Sequence, residues 1–257
     1  MLPEAILVHA RERGLPPRDA AQTFMQVVAL KQISAPRARL MGGAALVFGY
    51  GSPRFSEDID LAGVPDPSAL APGIARARRE IEGWFGATAA VTAPRAGRRT
   101  WRVTVRLGRS ESLTLHVDSQ PFKARTSRPL VIRFQSVQPF LFEGLSIDEI
   151  MSEKVIAAAC RRCMGGRDLF DLWFHWLRED SWQDRAAAVL GMLDAKLEER
   201  SLRRERIASL LSSRLSERPS LDRAREEWKR YLPPAFQRPS LEREIVDRCR
   251  LLLRVLP

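Results

Sequence analysis

The sequence predicts an α+β fold, a mixed sheet with helices, followed by an all-helical C-terminal domain. Three observations carry this. The stretches "TWRVTVRLG" and "LTLHVDSQ" alternate apolar and polar residues at period two, as half-buried strands do. The segment from Pro36 to about Gln138 mixes such patterns with helical ones. From near Leu145 to Pro257 the spacing is helical, with almost no strand signal. The expected boundaries are 1–145 for the core with its N-terminal helices and 146–257 for the helical domain.

Taken in order, the first 35 residues read as two helices separated by Leu15-Pro16-Pro17, since proline closes one helix and can open the next. "LMGGAALVFGY" allows a short strand, a glycine turn and a helix; "EDIDLAG" is a short strand, and Pro67 to Phe85 suit a helix. Gly108-Arg109-Ser110-Glu111 suits a hairpin turn between the two alternating strands. Ser146-Ile147-Asp148-Glu149 is an S-x-x-E capping box that opens the helical part. A further helix follows Gly165-Gly166, and 183–199, 219–231 and 239–255 are amphipathic, with breaks near Arg218-Pro219 and Pro233-Pro234.

A chain of 257 residues, 45% hydrophobic, can bury one large core or two modest ones. No apolar run reaches the roughly 18 residues that span a bilayer. Glu4 interrupts the N-terminal apolar stretch and no basic n-region precedes it, so neither a membrane partner nor a signal peptide is expected. Cys160, Cys163 and Cys249 are too few for a disulfide framework, and a reducing cytoplasm fits. The lone C-x-x-C lacks a second pair to complete a zinc site, so Cys160 and Cys163 read as small buried helix residues.

The formal charge is +11, and only five of 42 basic residues are lysine. Between Val91 and Gln135 ten Arg and Lys stand against Glu111 and Asp118. Such a concentrated positive field attracts polyanions, which makes nucleic acid a candidate partner and Arg98, Arg99 and Arg102 candidate contacts. The alternative is a solvated sheet face.

The chemistry concentrates in "GGAALVFGYGSPRFSEDID", residues 42–60. On a strand Asp58 and Asp60 point the same way, and two unpaired carboxylates repel each other unless a cation joins them. Mg²⁺ takes a few carboxylates together with phosphate oxygens. Gly42-Gly43 let the backbone turn tightly and offer N–H groups at a helix N-terminus, a site for a triphosphate. In "LTLHVDSQ", Thr114, His116 and Asp118 share one face; if this strand lies near the D-x-D strand, Asp118 completes a triad as a base or a metal ligand. The three histidines show no ligand spacing and read as incidental. Ser56, two residues before Asp58, is either a loop serine or a control point at which phosphorylation would exclude the nucleotide.

These residues carry a resemblance. Leu40 to Leu61 resembles the DNA polymerase β-like nucleotidyltransferases, and within them the AbiEii/MenT group of toxins from bacterial toxin–antitoxin systems. The matching motif reads Gly42-Gly43-Ala44-Ala45-Leu46, Tyr50-Gly51, Arg54 and Ser56-Glu57-Asp58-Ile59-Asp60-Leu61. "SIDEIMSEKVIAAACRRCMGGRDLFDLW" looks like the family's EK-x-x-A…RD-x-x-D segment. One departure is Ala44, where many such enzymes carry Ser or Thr. The resemblance implies a polymerase β-like core, an NTP substrate, Mg²⁺ or Mn²⁺ on Asp58 and Asp60 with Asp118 assisting, and nucleotide contacts from Gly42, Gly43, Arg54, Ser56 and Lys154.

Lys154 falls on the apolar stripe of Ile147, Ile150, Met151 and Ala158, so it meets an anion or snorkels. The resemblance puts it on the nucleotide phosphates; the other reading is a salt bridge to Asp168 or Asp171. Those two carboxylates either serve their helix dipole or, as the resemblance implies, position Lys154 or the nucleotide. Trp173 and Trp176 read as core.

The expected reaction is transfer of a nucleoside monophosphate from an NTP to an RNA 3′ end, tRNA above all, by the toxin of a pair with a separate antitoxin. The rivals are modification of a protein or small molecule such as an aminoglycoside, and an inactive nucleotide- or RNA-binding module.

Overall fold

Residues 2–108 and 111–256 are described by a computed structural model. The chain divides into two units, 1–145 and 146–257, each with its own core. Arg109 and Ser110 of the expected hairpin turn lie outside the described residues. Among the described residues no helix is long and apolar enough to cross a membrane.

The first unit is a seven-stranded mixed sheet with four α-helices. Its elements are α1 (Glu4–Arg13), α2 (Pro17–Gln32), β1 (Arg39–Met41), α3 (Gly42–Gly49), β2 (Asp58–Ala62), α4 (Ala71–Phe85), β3 (Ala89–Thr92), β4 (Thr100–Arg106), β5 (Ser112–Ser119), β6 (Arg128–Phe134) and β7 (Val137–Gly144). The strand order is β3-β4-β5-β2-β1-β7-β6, so the D-x-D strand β2 sits near the middle. It runs antiparallel to β1 and parallel to β5.

α2 anchors this unit. Phe24, Met25, Val27, Val28, Ala29 and Leu30 are all buried, and the helix packs on α1, α4 and strands β5, β6 and β7. A helix buried on most of its circumference belongs to a core and needs its polar residues satisfied. Gln26 is one of these: its Nε2 donates to the Ser56 carbonyl at 3.0 Å. One turn earlier, Gln22 donates to the Glu57 carbonyl at 2.9 Å and to Thr114 of β5 at 3.3 Å. Two glutamines thus fix the backbone leading into Asp58.

β3, β6 and β7 escape the sequence reading. β3 is four residues long, with one buried position, and β7 carries Pro139 and alternates weakly.

The second unit is helical: α5 (Ile147–Cys160), α6 (Gly166–Leu172), α7 (Ala186–Glu199), α8 (Arg204–Ser216), α9 (Arg218–Tyr231) and α10 (Pro239–Arg250). Ser146 caps α5, its Oγ accepting from the Glu149 N–H at 3.3 Å. α5 lies at the centre, packed on α6, α7 and α8. α9 approaches α6 closely at Gly166, where a Cβ would stand 2.3 Å from the Ala224 carbonyl oxygen. Trp228 closes that contact, its Nε1 donating to the Gly166 carbonyl at 2.7 Å. Trp173 and Trp176 are buried, as their spacing predicts. α8 is absent from the sequence reading, and α7 starts three residues later than expected, after a 3₁₀ turn over Asp180–Arg185.

The cysteines correct an expectation. Cys249 is buried, but Cys160 and Cys163 are exposed. α5 ends at Cys160 because Arg161 leaves the helix with extended backbone angles, so Cys163 lies outside any helix.

Candidate active site

The glycine turn and the D-x-D strand meet directly. Gly42 opens α3 with φ of 63°, a conformation that L side chains adopt reluctantly. A Cβ there would stand 2.6 Å from Asp60 Oδ2. At Gly43 a Cβ would meet Arg54 Nη2 at 2.6 Å and Ser56 Oγ at 2.7 Å. Gly42 needs glycine for its backbone angle, a side chain at Gly43 would displace Arg54 or Ser56, and the α3 N-terminus lies against Asp60, Arg54 and Ser56.

Register supplies the rest. Asp60 is the partner of Asp118 and Asp58 the partner of His116 across the parallel β2–β5 pair. On β4, Thr100 faces Asp118 and Arg102 faces His116. Two rows thus cross one sheet face, Thr100–Asp118–Asp60 and Arg102–His116–Asp58. Ile59, Leu61, Val117, Trp101 and Val103 point to the opposite face and are buried. Alternation on each strand separates these faces.

The charges are held in place. Thr100 Oγ1 donates to Asp118 Oδ1. His116 Nδ1 shares a hydrogen bond with Asp58 Oδ1 at 3.1 Å. Burial raises the Asp58 carboxyl above its ordinary pKa; the bond and charge of His116 act against this, while Glu57 and Asp118 add to it. Arg54 is 3% exposed, and its Nη1 donates to the Phe55 carbonyl at 2.8 Å. Ser56 is buried and precedes β2, which begins at Asp58.

Among the described residues no three His, Cys, Asp or Glu side chains close around a common point as a self-sufficient metal cage. The donor set is nevertheless suited to Mg²⁺ or Mn²⁺. Carboxylates share one face beside a glycine turn where phosphate oxygens can complete the coordination sphere.

The basic residues divide by role. Arg98 and Arg102 are exposed. Arg99 is half-buried and committed to backbone: Nε donates to the Ser119 carbonyl at 2.7 Å and Nη2 to Pro65 at 2.8 Å and to Val64.

In the helical unit, Lys154 Nζ lies 2.7 Å from Asp168 Oδ1 and 2.8 Å from Asp171 Oδ2, all three groups being buried. Arg161 Nη1 approaches Asp168 Oδ2 at 3.0 Å, an ionic contact without hydrogen-bond alignment. The second buried lysine, Lys196, pairs with Glu149 at 2.6 Å. The sequence thus spends two of its five lysines on buried carboxylates.

Sequence reasoning brought Gly42, Gly43, Arg54, Ser56, Asp58, Asp60 and Asp118 together, and the fold places them so. It missed His116 as a partner of Asp58, Thr100 on Asp118, and the glutamines of α2. Alternation puts His116 on the Asp118 face, but only register puts it on Asp58.

Comparison with known proteins gives the family and the fold. Residues 24–248 match the family described as nucleotidyl transferase AbiEii toxin, type IV toxin–antitoxin system. The fold is similar to MenT4, a nucleotidyltransferase toxin from Mycobacterium tuberculosis H37Rv, with TM-score 0.57 and 16% identity over 98% of this chain and 89% of that one. It is also similar to a candidate nucleotidyltransferase from H. pylori, with TM-score 0.51 and 18% identity over 94% of this chain and 96% of that one. No curated protein matches. The chain belongs to the AbiEii family of nucleotidyltransferase toxins, the enzymes of type IV toxin–antitoxin systems.

Proposed function

We propose that this nucleotidyltransferase moves a nucleoside monophosphate from an NTP to the 3′ hydroxyl of an RNA, with tRNA the favoured acceptor. The observation that carries the chemistry is the Asp60–Asp118 register beside the Gly42 turn. The oxygen of the acceptor hydroxyl bonds to the α-phosphorus while the bond to the β-phosphate oxygen breaks, releasing pyrophosphate. Asp118, oriented by Thr100, receives the hydroxyl proton. Asp58 and Asp60 would hold Mg²⁺ or Mn²⁺, with Asp118 assisting, and the ion would supply charge stabilisation for the attacking and leaving oxygens. The N–H groups after Gly42 and the Arg54 guanidinium receive the triphosphate at the N-terminus of α3. Lys154 pairs α5 with Asp168 and Asp171 of α6, and the phosphate role that the resemblance implies for it is tested below.

The RNA acceptor rests on charge and position. Arg102 shares a row with His116 and Asp58, and Arg98 is exposed on the turn before β4. Arg99 contributes by fixing that turn. The family supplies the partner class: a cognate antitoxin controls the enzyme.

The test supplies total RNA, Mg²⁺ and each labelled NTP in turn. Label in RNA of tRNA size supports the reading. Label in protein or in an aminoglycoside supplied instead would move the acceptor to another class, and the absence of any nucleotide turnover would leave a binding module.

A further inference from the structure

Cys160 and Cys163 do not enter the transfer chemistry, yet they stand exposed three residues apart where α5 ends. Cys163 is not an inert surface thiol. Arg223 Nη1 donates to its Sγ at 3.0 Å, which holds the sulfur beside a fixed cation. The same sulfur borders a cavity of about 530 Å³, also lined by Asp222, Arg223, Glu226 and Lys229. Charges of both signs suit a zwitterionic molecule. Between the cysteines sits Arg161, which makes the ionic contact with Asp168, and Asp168 holds Lys154.

We propose that Cys160 and Cys163 form a reversible dithiol switch that reacts with a low-molecular-weight disulfide of the glutathione type and unsettles the Lys154–Asp168–Asp171 cluster. Cys163, its proton lost to water, attacks one sulfur of the small disulfide; a mixed disulfide forms and one small thiolate leaves. Cys160, its proton lost to water, then attacks Cys163 Sγ. The Cys160–Cys163 bond forms and the second small thiolate leaves. Two protein thiols are oxidised and one disulfide is reduced to two thiols. In this switch the new bond spans Arg161 and Arg162, and the Arg161 contact with Asp168 is the one given up.

The chain offers a direct assay, since trypsin cuts after Lys154, Arg161, Arg162 and Arg167. In a glutathione redox buffer of rising oxidised fraction, peptides 155–161 and 163–167 become covalently linked, while buried Cys249 stays reduced. Arg223→Gln slows the linkage several-fold. Linked protein melts roughly 2–4 °C below reduced protein, and reduced Arg161→Gln shows the same drop with no further loss on oxidation. Thiols that take an alkylating label at every redox ratio, or a glutathione adduct on Cys163 that never resolves to the linked peptide, overturn the switch. Equal melting of linked and reduced protein overturns its coupling to Asp168. Neither readout depends on the acceptor of the transfer reaction.

Discussion

Asp60 and Asp118 are register partners on neighbouring parallel strands, with Thr100 bonded to Asp118 and Gly42 pressed against Asp60. The geometry places like charges side by side, and a side chain at the glycine turn would push against Asp60, Arg54 or Ser56. Neighbouring carboxylates repel each other, and the cation proposed above would offset that repulsion.

Asp58→Ala or Asp60→Ala therefore abolishes transfer, with at least a hundredfold loss in kcat, while thermal stability holds or rises slightly as repulsion is relieved. Transfer assays and melting curves on the same preparations check both halves. Retained activity in both variants would remove the enzymatic assignment of these carboxylates.

Gly43→Ala and Ser56→Glu act on one contact. A Cβ at Gly43 would press on Arg54 and Ser56, and a carboxylate at Ser56 would put negative charge beside the triphosphate turn. Both lower nucleotide affinity, read as a raised KM for NTP, and Ser56→Glu mimics phosphorylation at this buried hydroxyl. Ser56→Ala keeps measurable activity. A fully active Ser56→Glu enzyme would end the idea of a control point here.

Arg98→Gln with Arg102→Gln weakens RNA binding and lowers the slope of log affinity against log salt by about 2, since two phosphate contacts go. Arg99→Gln behaves differently: it loses bonds to the Ser119 and Pro65 carbonyls, so stability falls. Filter binding across a salt series separates them.

Lys154→Met leaves Asp168 and Asp171 buried without their ammonium. Breaking a buried pair from one side costs about 3–5 kcal/mol, a large part of a domain's stability. Denaturant unfolding measures it. A raised KM for NTP with unchanged stability would instead favour the phosphate role.

His9 sets a pH dependence of stability. Burial, and then the charge of Arg13, hold its pKa down from 6.5 to about 4. The unfolded chain takes up that proton first, so the contribution is complete above pH 6.5 and is lost as pH falls toward 4. The imidazole is only half-buried, so the effect is on the order of 1 kcal/mol. His9→Phe, beside the ring of Phe134, flattens the melting temperature across that window.

Much of the site was legible because it is encoded locally. The glycine turn, D-x-D and strand alternation each need only a few adjacent residues, and two-residue periodicity fixes which side chains share a face. What stayed hidden depends on register between distant strands. His116 and Asp58 are 58 residues apart, and nothing near either one states their pairing. Arg99 looked like one more surface charge, since sequence does not show a guanidinium facing carbonyls. Cys160 and Cys163 read as helical because the helix end at Arg161 carries neither glycine nor proline.

The pairing of β2 with β5 has a consequence during synthesis. Residues 58–62 emerge from the ribosome well before residues 112–119, with β3 and β4 made between them. A chain stopped before β5 carries the glycine turn and both early carboxylates but no Asp118 and no neighbour for that edge of β2. The face that carries Asp58, Asp60 and Asp118 comes into being only when two separately made strands find each other.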